Sequence, residues 1–316
     1  MADRILVTGG GGFVGYHLAQ RLLSDGAEVV ILDDFSRSRP DRDFDRLRKH
    51  VQVVEHDLRL AIPAALLPGD FDGVYHLAAV VGVQRTIDNP VNVLRTNVLS
   101  TLNLLDWCLA SPPGMLFFSS TSEVADGAVT AGLTELPAPE QVPYVATEPW
   151  SPRTSYSLSK VTGELLVTQC AKDFPVRIGR YHNVYGPRMG NSHVIPQFLR
   201  RALDGVDPFP IYGANQTRAF CYVDDAVSAT VAVARSAPAK VVANIGNDTQ
   251  EITARDLAAH IFTVAGVQPR VEIFGPPPGS PDRRLPDLTT LRTLTGYQPR
   301  VNLAEGLRMT YEWYAQ

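Results

Sequence analysis

Cysteine is scarce in this chain. The 316 residues hold three, Cys108, Cys170 and Cys221, odd in number and far apart, which fits neither a disulfide framework nor the close pairs of a zinc site. Reduced thiols and no metal are expected. Charge of one sign is scarce as well: 29 Lys and Arg against 33 Asp and Glu leave a formal charge of -4. Arg200-Arg201 and Arg283-Arg284 are pairs rather than patches, so neither a nucleic-acid backbone nor a membrane surface is an expected partner. No window approaches the ~18 apolar residues of a membrane span. The N-terminus runs almost at once into ILVTGGGGFVG, without the basic region, apolar stretch and small-residue cleavage site of a leader. A cytoplasmic protein is expected, with no internal repeat and no low-complexity tract.

Hydrophobic residues make up 45% and charged residues 20% of the chain, enough for one large core or two modest ones. Short apolar, β-branched runs alternate with longer helical patterns: RILVT, HLAQRLLSDG, EVVILDD, VQVVEHD, GVYHLAA, VNVLRTNVLSTLNLLDWCLA, MLFFSS and VRIGRYH. Such alternation predicts parallel strands joined by helical crossovers, an α/β fold with a doubly wound, Rossmann-like sheet. After Tyr181 the texture changes, and YGPRMG, DPFPIYG and FGPPPGSPDRR interrupt shorter elements. Residues 1–180 are therefore assigned to the doubly wound domain, to which 214–250 partly return. Residues 181–316 mainly form a smaller C-terminal α/β part, with loops that fold over a ligand.

TGGGGFVG follows the first strand and opens the first helix, with Gly9, Gly12 and Gly15 three residues apart and Phe13 and Val14 between the last two. Missing side chains let the backbone approach a pyrophosphate, whose charge meets the unpaired N–H groups and positive dipole end of the helix. Asp33 closes the second strand about 20 residues on, where an acid accepts hydrogen bonds from an adenosine ribose. A 2′-phosphate there would face Asp33 and Asp34, which favours NAD over NADP. Arg37 and Arg39 pull the other way. In TSYSLSK, Tyr156 and Lys160 stand four apart and so share a helix face. An ammonium beside a phenol lowers the phenol's pKa, and such a tyrosine takes a proton from an alcohol while hydride leaves the same carbon for NAD.

These motifs together resemble the short-chain dehydrogenase/reductase superfamily, in its extended branch of NAD-dependent nucleotide-sugar epimerases, dehydratases and decarboxylases. TGGGGFVG, LDD, HD at Asp57, YHLAA, TNVLSTLNLL, SSTSE, YSLSK, NVYGPRM, TRAFCYVDD, NIG and the DRRLPD run follow one another in that branch's order. The resemblance implies that Asp57 and Leu58 line the adenine site and Ala78 and Ala79 the pyrophosphate floor. Thr121 would join Tyr156 and Lys160 in catalysis, and Asn97 would brace the active-site helix behind the cofactor. Asn183, Arg218 and Arg283 would hold the diphosphate of a nucleotide sugar, arginine being suited to bind two oxygens at once.

UDP-glucuronate decarboxylases are similar at Ser122-Glu123, at GPRM and at Arg284. The resemblance makes Glu123 and Arg284 a pair that handles the sugar carboxylate and supplies a proton. A 4-epimerase and then a 4,6-dehydratase are the alternatives, and a non-catalytic NAD-binding subunit the alternative from another class. Glu123-Val124-Ala125-Asp126 departs from the EVYG of the branch. The resemblance also implies a homodimer through helices 91–110 and 154–172, with Leu104, Leu105, Leu165 and Leu166 in the seam.

Overall fold

The computed structural model describes residues 2–37, 41–67, 70–236 and 238–316. The apolar runs form β1 (Arg4–Thr8), β2 (Glu28–Asp33), β3 (Gln52–Glu55), β4 (Gly73–His76), β5 (Leu116–Thr121) and β6 (Val176–Tyr181). With the strand Lys240–Ile245 they make a seven-stranded sheet in the order Lys240–Ile245, β6, β5, β4, β1, β2, β3, and every pairing is parallel. The doubly wound, Rossmann-like sheet expected from the alternation is present.

Helices cover both faces, which is why these strands are continuously apolar rather than alternating. Neighbouring residues on a strand point to opposite faces. Phe117 accordingly packs with Ile5, Val7, Leu18 and Leu22, while Phe118 packs with Leu6, Val30, Leu104 and Cys108. From β1 the chain winds one way through β2 and β3, then returns to lay β4, β5 and β6 on the other side. At that reversal the loops leaving β1 and β4 part, and a crevice opens beyond the carboxyl ends of the strands.

Segments that follow β6 line the far side of this crevice. A three-stranded sheet sets Thr217–Ala219 between Glu251–Thr253 and Arg283–Arg284, antiparallel to the first and parallel to the second. The helices Val194–Leu203, Ala254–Ala265 and Leu303–Tyr314 bury Phe198, Leu257 and Leu307 in the same core as Leu18 and Phe117. Among the described residues no helix is long and apolar enough to cross a membrane.

The expected leucine seam is corrected by the packing. The helix Pro90–Ala110 buries Leu104 and Leu105 against the sheet, beside Leu6 and Val30, and Leu166 of the helix Thr154–Gln169 packs partly into the same core. Of the four, Leu165 alone faces outward, 51% exposed. A helix lying on a sheet must turn one side inward, and the 3.6-residue repeat puts 97, 101, 104 and 108 there.

Candidate active site

The crevice is a cleft of about 820 Å³ lined from both parts of the chain. At one end lies the glycine loop. Gly9 has φ +73°, and a Cβ on it would come within 2.7 Å of the Ala78 nitrogen; one on Gly15 would come within 2.8 Å of Gly10 Cα. Side chains are excluded here by close backbone approach as well as by conformation. Asp33 is fixed by accepting from the Gly11 N–H at 2.9 Å and the Phe35 N–H at 2.8 Å. Burial pushes its carboxyl above the usual range, and those two N–H groups oppose the shift. Gly9, Gly12, Phe13, Val14, Gly15, Asp33, Asp57, Leu58, Ala78 and Ala79 all line the cleft.

Asn97 has a different place. It is 3% exposed and sits behind the wall, taking the Val80 N–H at 2.7 Å and donating to the Val80 carbonyl at 3.1 Å and to Ser159 Oγ at 3.0 Å. Ser159 Oγ in turn donates to the Tyr156 carbonyl. Asn97 is thus a brace between the loop after β4 and the helix that carries Tyr156, rather than a lining residue.

Two arginines in this half escaped the sequence reading as site residues. Arg37 donates from Nη1 to the Ala79 carbonyl at 3.1 Å, and burial lowers its pKa to about 10; Arg39 lies outside the described residues. Arg188, in the GPRM stretch, lies 4.1 Å over the Tyr16 ring and donates to Asp41 and to the Gly11 carbonyl. Its Nη1 is buried with no hydrogen-bond partner among the described residues. A tight loop with open N–H groups, an unspent guanidinium donor beside it and a fixed acid at the next strand end together fit the diphosphate and ribose of NAD.

Further along the cleft, β5 ends at Thr121 and the helix Thr154–Gln169 brings up Tyr156 and Lys160. That helix is pinned to the sheet by Glu164, which accepts from Arg180 Nε at 2.9 Å and Nη2 at 2.7 Å and from the Tyr144 hydroxyl at 2.6 Å. Lys160 Nζ donates to the Ser119 carbonyl at 2.7 Å, and burial lowers its pKa to about 8 against the pull of Glu164. Tyr156 departs from expectation. Burial and the nearby Glu123 charge raise its phenol above the ordinary value, and the groups that lower it are a hydrogen bond from Thr121 and the charges of Arg37 and Arg284. Lys160 donates its ammonium to the backbone of β5 rather than to the phenol, and the charges acting most on the phenol are those of Glu123, Arg37 and Arg284.

On the substrate side Arg283 departs from its expected place. Arg283 and Arg284 are consecutive on one strand, so their side chains leave on opposite faces. Arg284 reaches the cleft, whereas Arg283 turns away from it and forks onto Glu251 at 2.7 and 2.8 Å. Glu123 and Arg284 both line the cleft and act on each other through charge, and Arg284 has a further partner. Arg284 donates from Nε to Asp126 Oδ1 at 3.2 Å and from Nη2 to Asp126 Oδ2, while Glu123 acts on it through its charge alone. Burial works against the charge on Arg284, but Asp126 and Glu123 more than offset it and raise its pKa. Burial also raises the Glu123 carboxyl, with Arg284 opposing. The sign of Asp126 in the sequence was the broken EVYG pattern.

Asn183 and Arg218 line the cleft as expected. Asn183 holds a left-handed φ of +44° and donates to the Ala219 carbonyl at 3.2 Å. Arg218 donates to the Pro281 carbonyl at 2.7 Å and to Ser280 Oγ at 3.3 Å, and burial followed by the neighbouring Arg284 lowers its pKa to about 10.

A dinucleotide cradle, a buried phenol with a hydroxyl partner, and cations across a cleft define an NAD-dependent enzyme of nucleotide-sugar chemistry. Residues 5–246 match the NAD dependent epimerase/dehydratase family, and the chain belongs to it. It is 32% identical to a UDP-N-acetyl-alpha-D-glucosaminuronate decarboxylase of Bacillus cytotoxicus over 100% of this chain and 99% of that protein. It is 34% identical to UDP-glucuronic acid decarboxylase 1 of Xenopus tropicalis over 98% of this chain and 72% of that one. Its fold is similar to UDP-glucose 4-epimerase of Thermotoga maritima, solved with UDP-glucose, with a TM-score of 0.85, 28% identity and 98% of each chain covered.

Proposed function

We propose that the protein decarboxylates a UDP-linked hexuronate, UDP-glucuronate in the first instance, giving the UDP-pentose or its 4-keto form. The observation that carries this reading is the group at the end of the cleft opposite the glycine loop. There Arg284 and the raised carboxyl of Glu123 adjoin Tyr156 and Thr121, so a sugar with its carbon-4 hydroxyl at the phenol places its carboxylate toward an arginine. The named relatives that act on hexuronates support it.

NAD supplies the hydride acceptor and donor for carbon 4. Tyr156, once ionised, takes the hydroxyl proton, its phenolate stabilised by Thr121 and by the charges of Arg37 and Arg284. Asn97 and Glu164 hold the helix so that the phenol does not drift. The carbon-4 ketone then lets the bond from carbon 5 to the carboxyl carbon break: its electron pair passes to the ketone oxygen, carbon dioxide leaves, and carbon 5 takes a proton from Glu123, whose raised carboxyl suits it to be an acid. Asn183 and Arg218 are placed for the diphosphate.

Incubation with UDP-glucuronate, UDP-glucose and dTDP-glucose, followed by product masses, tests this. A loss of about 44 mass units from UDP-glucuronate, one carbon dioxide, is the expected result. Unchanged mass with inversion at carbon 4 would make the protein an epimerase, the second reading, which the likeness to UDP-glucose 4-epimerase favours. A loss of about 18 from dTDP-glucose, one water, would mean dehydration.

The homodimer also belongs to this reading, with Leu165 alone kept from the residues first expected. Val91, Leu94 and Leu109 on the helix Pro90–Ala110 and Leu158 and Leu165 on its neighbour Thr154–Gln169 are exposed, a surface suited to a second copy. Light scattering at micromolar concentration should give twice the mass of one chain, and Leu165→Glu should lower it toward one; a monomeric parent protein would sink the idea.

A further inference from the structure

We propose that Asp126 tunes Arg284, limiting how tightly the cleft holds the sugar carboxylate before it leaves. This rests on the hexuronate reading above. Asp126 stands at the start of the short helix Asp126–Thr130, outside the cleft wall, and meets Arg284 from the rear. On that side is a cavity of about 20 Å³, room for a single water, lined by Ser122, Asp126, His182 and both Arg283 and Arg284. A Cβ on the next residue, Gly127, would overlap the Val145 carbonyl, so the Val145 backbone packs directly against the start of this helix. Arg284 is therefore a wall between cleft and cavity, with Asp126 on its Nε and Nη2 edge. Nη1 is the nitrogen that Asp126 leaves uncommitted.

The charges around this pair decide what Arg284 can do. Side-chain exposures of 13% for Arg284 and 30% for Asp126 mean that each sees the other through little water. Glu123 adds a second acid to the same arginine, and Arg153 and Arg218 stand further along the cleft. His182 cannot balance Asp126: it is 1% exposed, its Nδ1 has no hydrogen-bond partner among the described residues, and burial keeps it neutral. Asp126 thus draws most of its compensation from Arg284, and a substrate carboxylate meets a guanidinium already largely neutralised.

For decarboxylation this is the useful arrangement. Negative charge starts on the carboxylate and ends on the oxygen at carbon 4, so an arginine that gripped the carboxylate would stabilise the starting state more than the transition state. Asp126 lets Arg284 orient the group through hydrogen bonds without binding its charge strongly. Where the related pattern EVYG has glycine, this chain places the acid.

The test compares Asp126→Asn, which keeps size and a hydrogen-bond acceptor, with Asp126→Ala, in the full chain loaded with NAD. Titration with UDP-glucuronate should show affinity about tenfold tighter in both variants, while UDP-glucose and UDP stay within about twofold. The kcat for carbon dioxide release should fall as KM falls. Unchanged or weaker UDP-glucuronate binding in Asp126→Asn would overturn the proposal, as would an equal change for UDP-glucose, the mark of a merely structural role. Thermal melting shows whether Asp126→Ala folds; if it does not, Asp126→Asn decides. Absence of carbon dioxide from the parent enzyme would sink the hexuronate reading separately, since the difference in binding is measured without turnover.

Discussion

Turnover should fall by about 10³-fold in Tyr156→Phe, the size of effect a positioned general base supplies, while NAD and UDP bind nearly as before. The substitution removes one oxygen and leaves a ring of the same shape beside Thr121, Glu123 and Arg284. Thr121 loses a partner but remains bonded to the Glu123 N–H. Burial and the Glu123 charge hold the free phenol neutral, and the groups that oppose them, Thr121, Arg37 and Arg284, are the ones that would stabilise negative charge on that oxygen in the reaction. Stopped-flow absorbance of the bound nicotinamide, together with product formation, checks this. Activity within tenfold of the parent would exclude Tyr156 as the base.

Arg284→Ala should slow carbon dioxide release from UDP-glucuronate by about 10²-fold and change UDP affinity little. Arg284 acts through its contacts with the carboxylate rather than through proton transfer. Diphosphate contacts are expected at Asn183 and Arg218, so a ligand without a sugar carboxylate does not call on Arg284. Its removal also strands Asp126 and Glu123 beside each other, and mutual repulsion should lower the melting temperature. Arg284→Lys separates the two effects, since it restores a positive charge without the planar fork. Recovery of stability without recovery of rate is expected. A variant that loses only affinity, with kcat intact, would show that Arg284 binds the acid without helping it depart.

Much of the site was legible because its elements have local causes. Parallel strands covered on both faces must be apolar throughout, so β1, β2, β5 and β6 announce themselves as runs. The glycine loop is a local steric necessity, and Tyr156 with Lys160 is a matter of helical repeat. What stayed hidden depended on neighbours distant in the chain. Lys160 shows the right spacing, yet which oxygen takes its ammonium depends on the approach of Ser119, 41 residues away. Arg37 could be read only as a cation near Asp33 and Arg188 only as part of GPRM until the fold brought one to Ala79 and the other over Tyr16. Leu104 and Leu165 are the same residue type on neighbouring helices, and the sheet beneath decides which of them is core. Asp126 appeared as a broken motif, and only the strand Arg283–Arg284, far along the chain, gives the break a partner.

The double arginine at the end of the substrate part carries a consequence for comparing related chains. With two identical residues in succession on an extended strand, the one that meets the sugar is chosen by parity: pairing with Thr217–Ala219 sets Arg283 outward and Arg284 inward. A slip of the strand by one residue that moves Arg283 into the place of Arg284 would exchange which arginine faces the cleft without altering any letter of the motif. In an alignment such a change would look like conservation with a gap nearby. It would nevertheless move the functional arginine by one place, present a different neighbour to Asp126, and leave Glu251 to face whatever residue came before the pair.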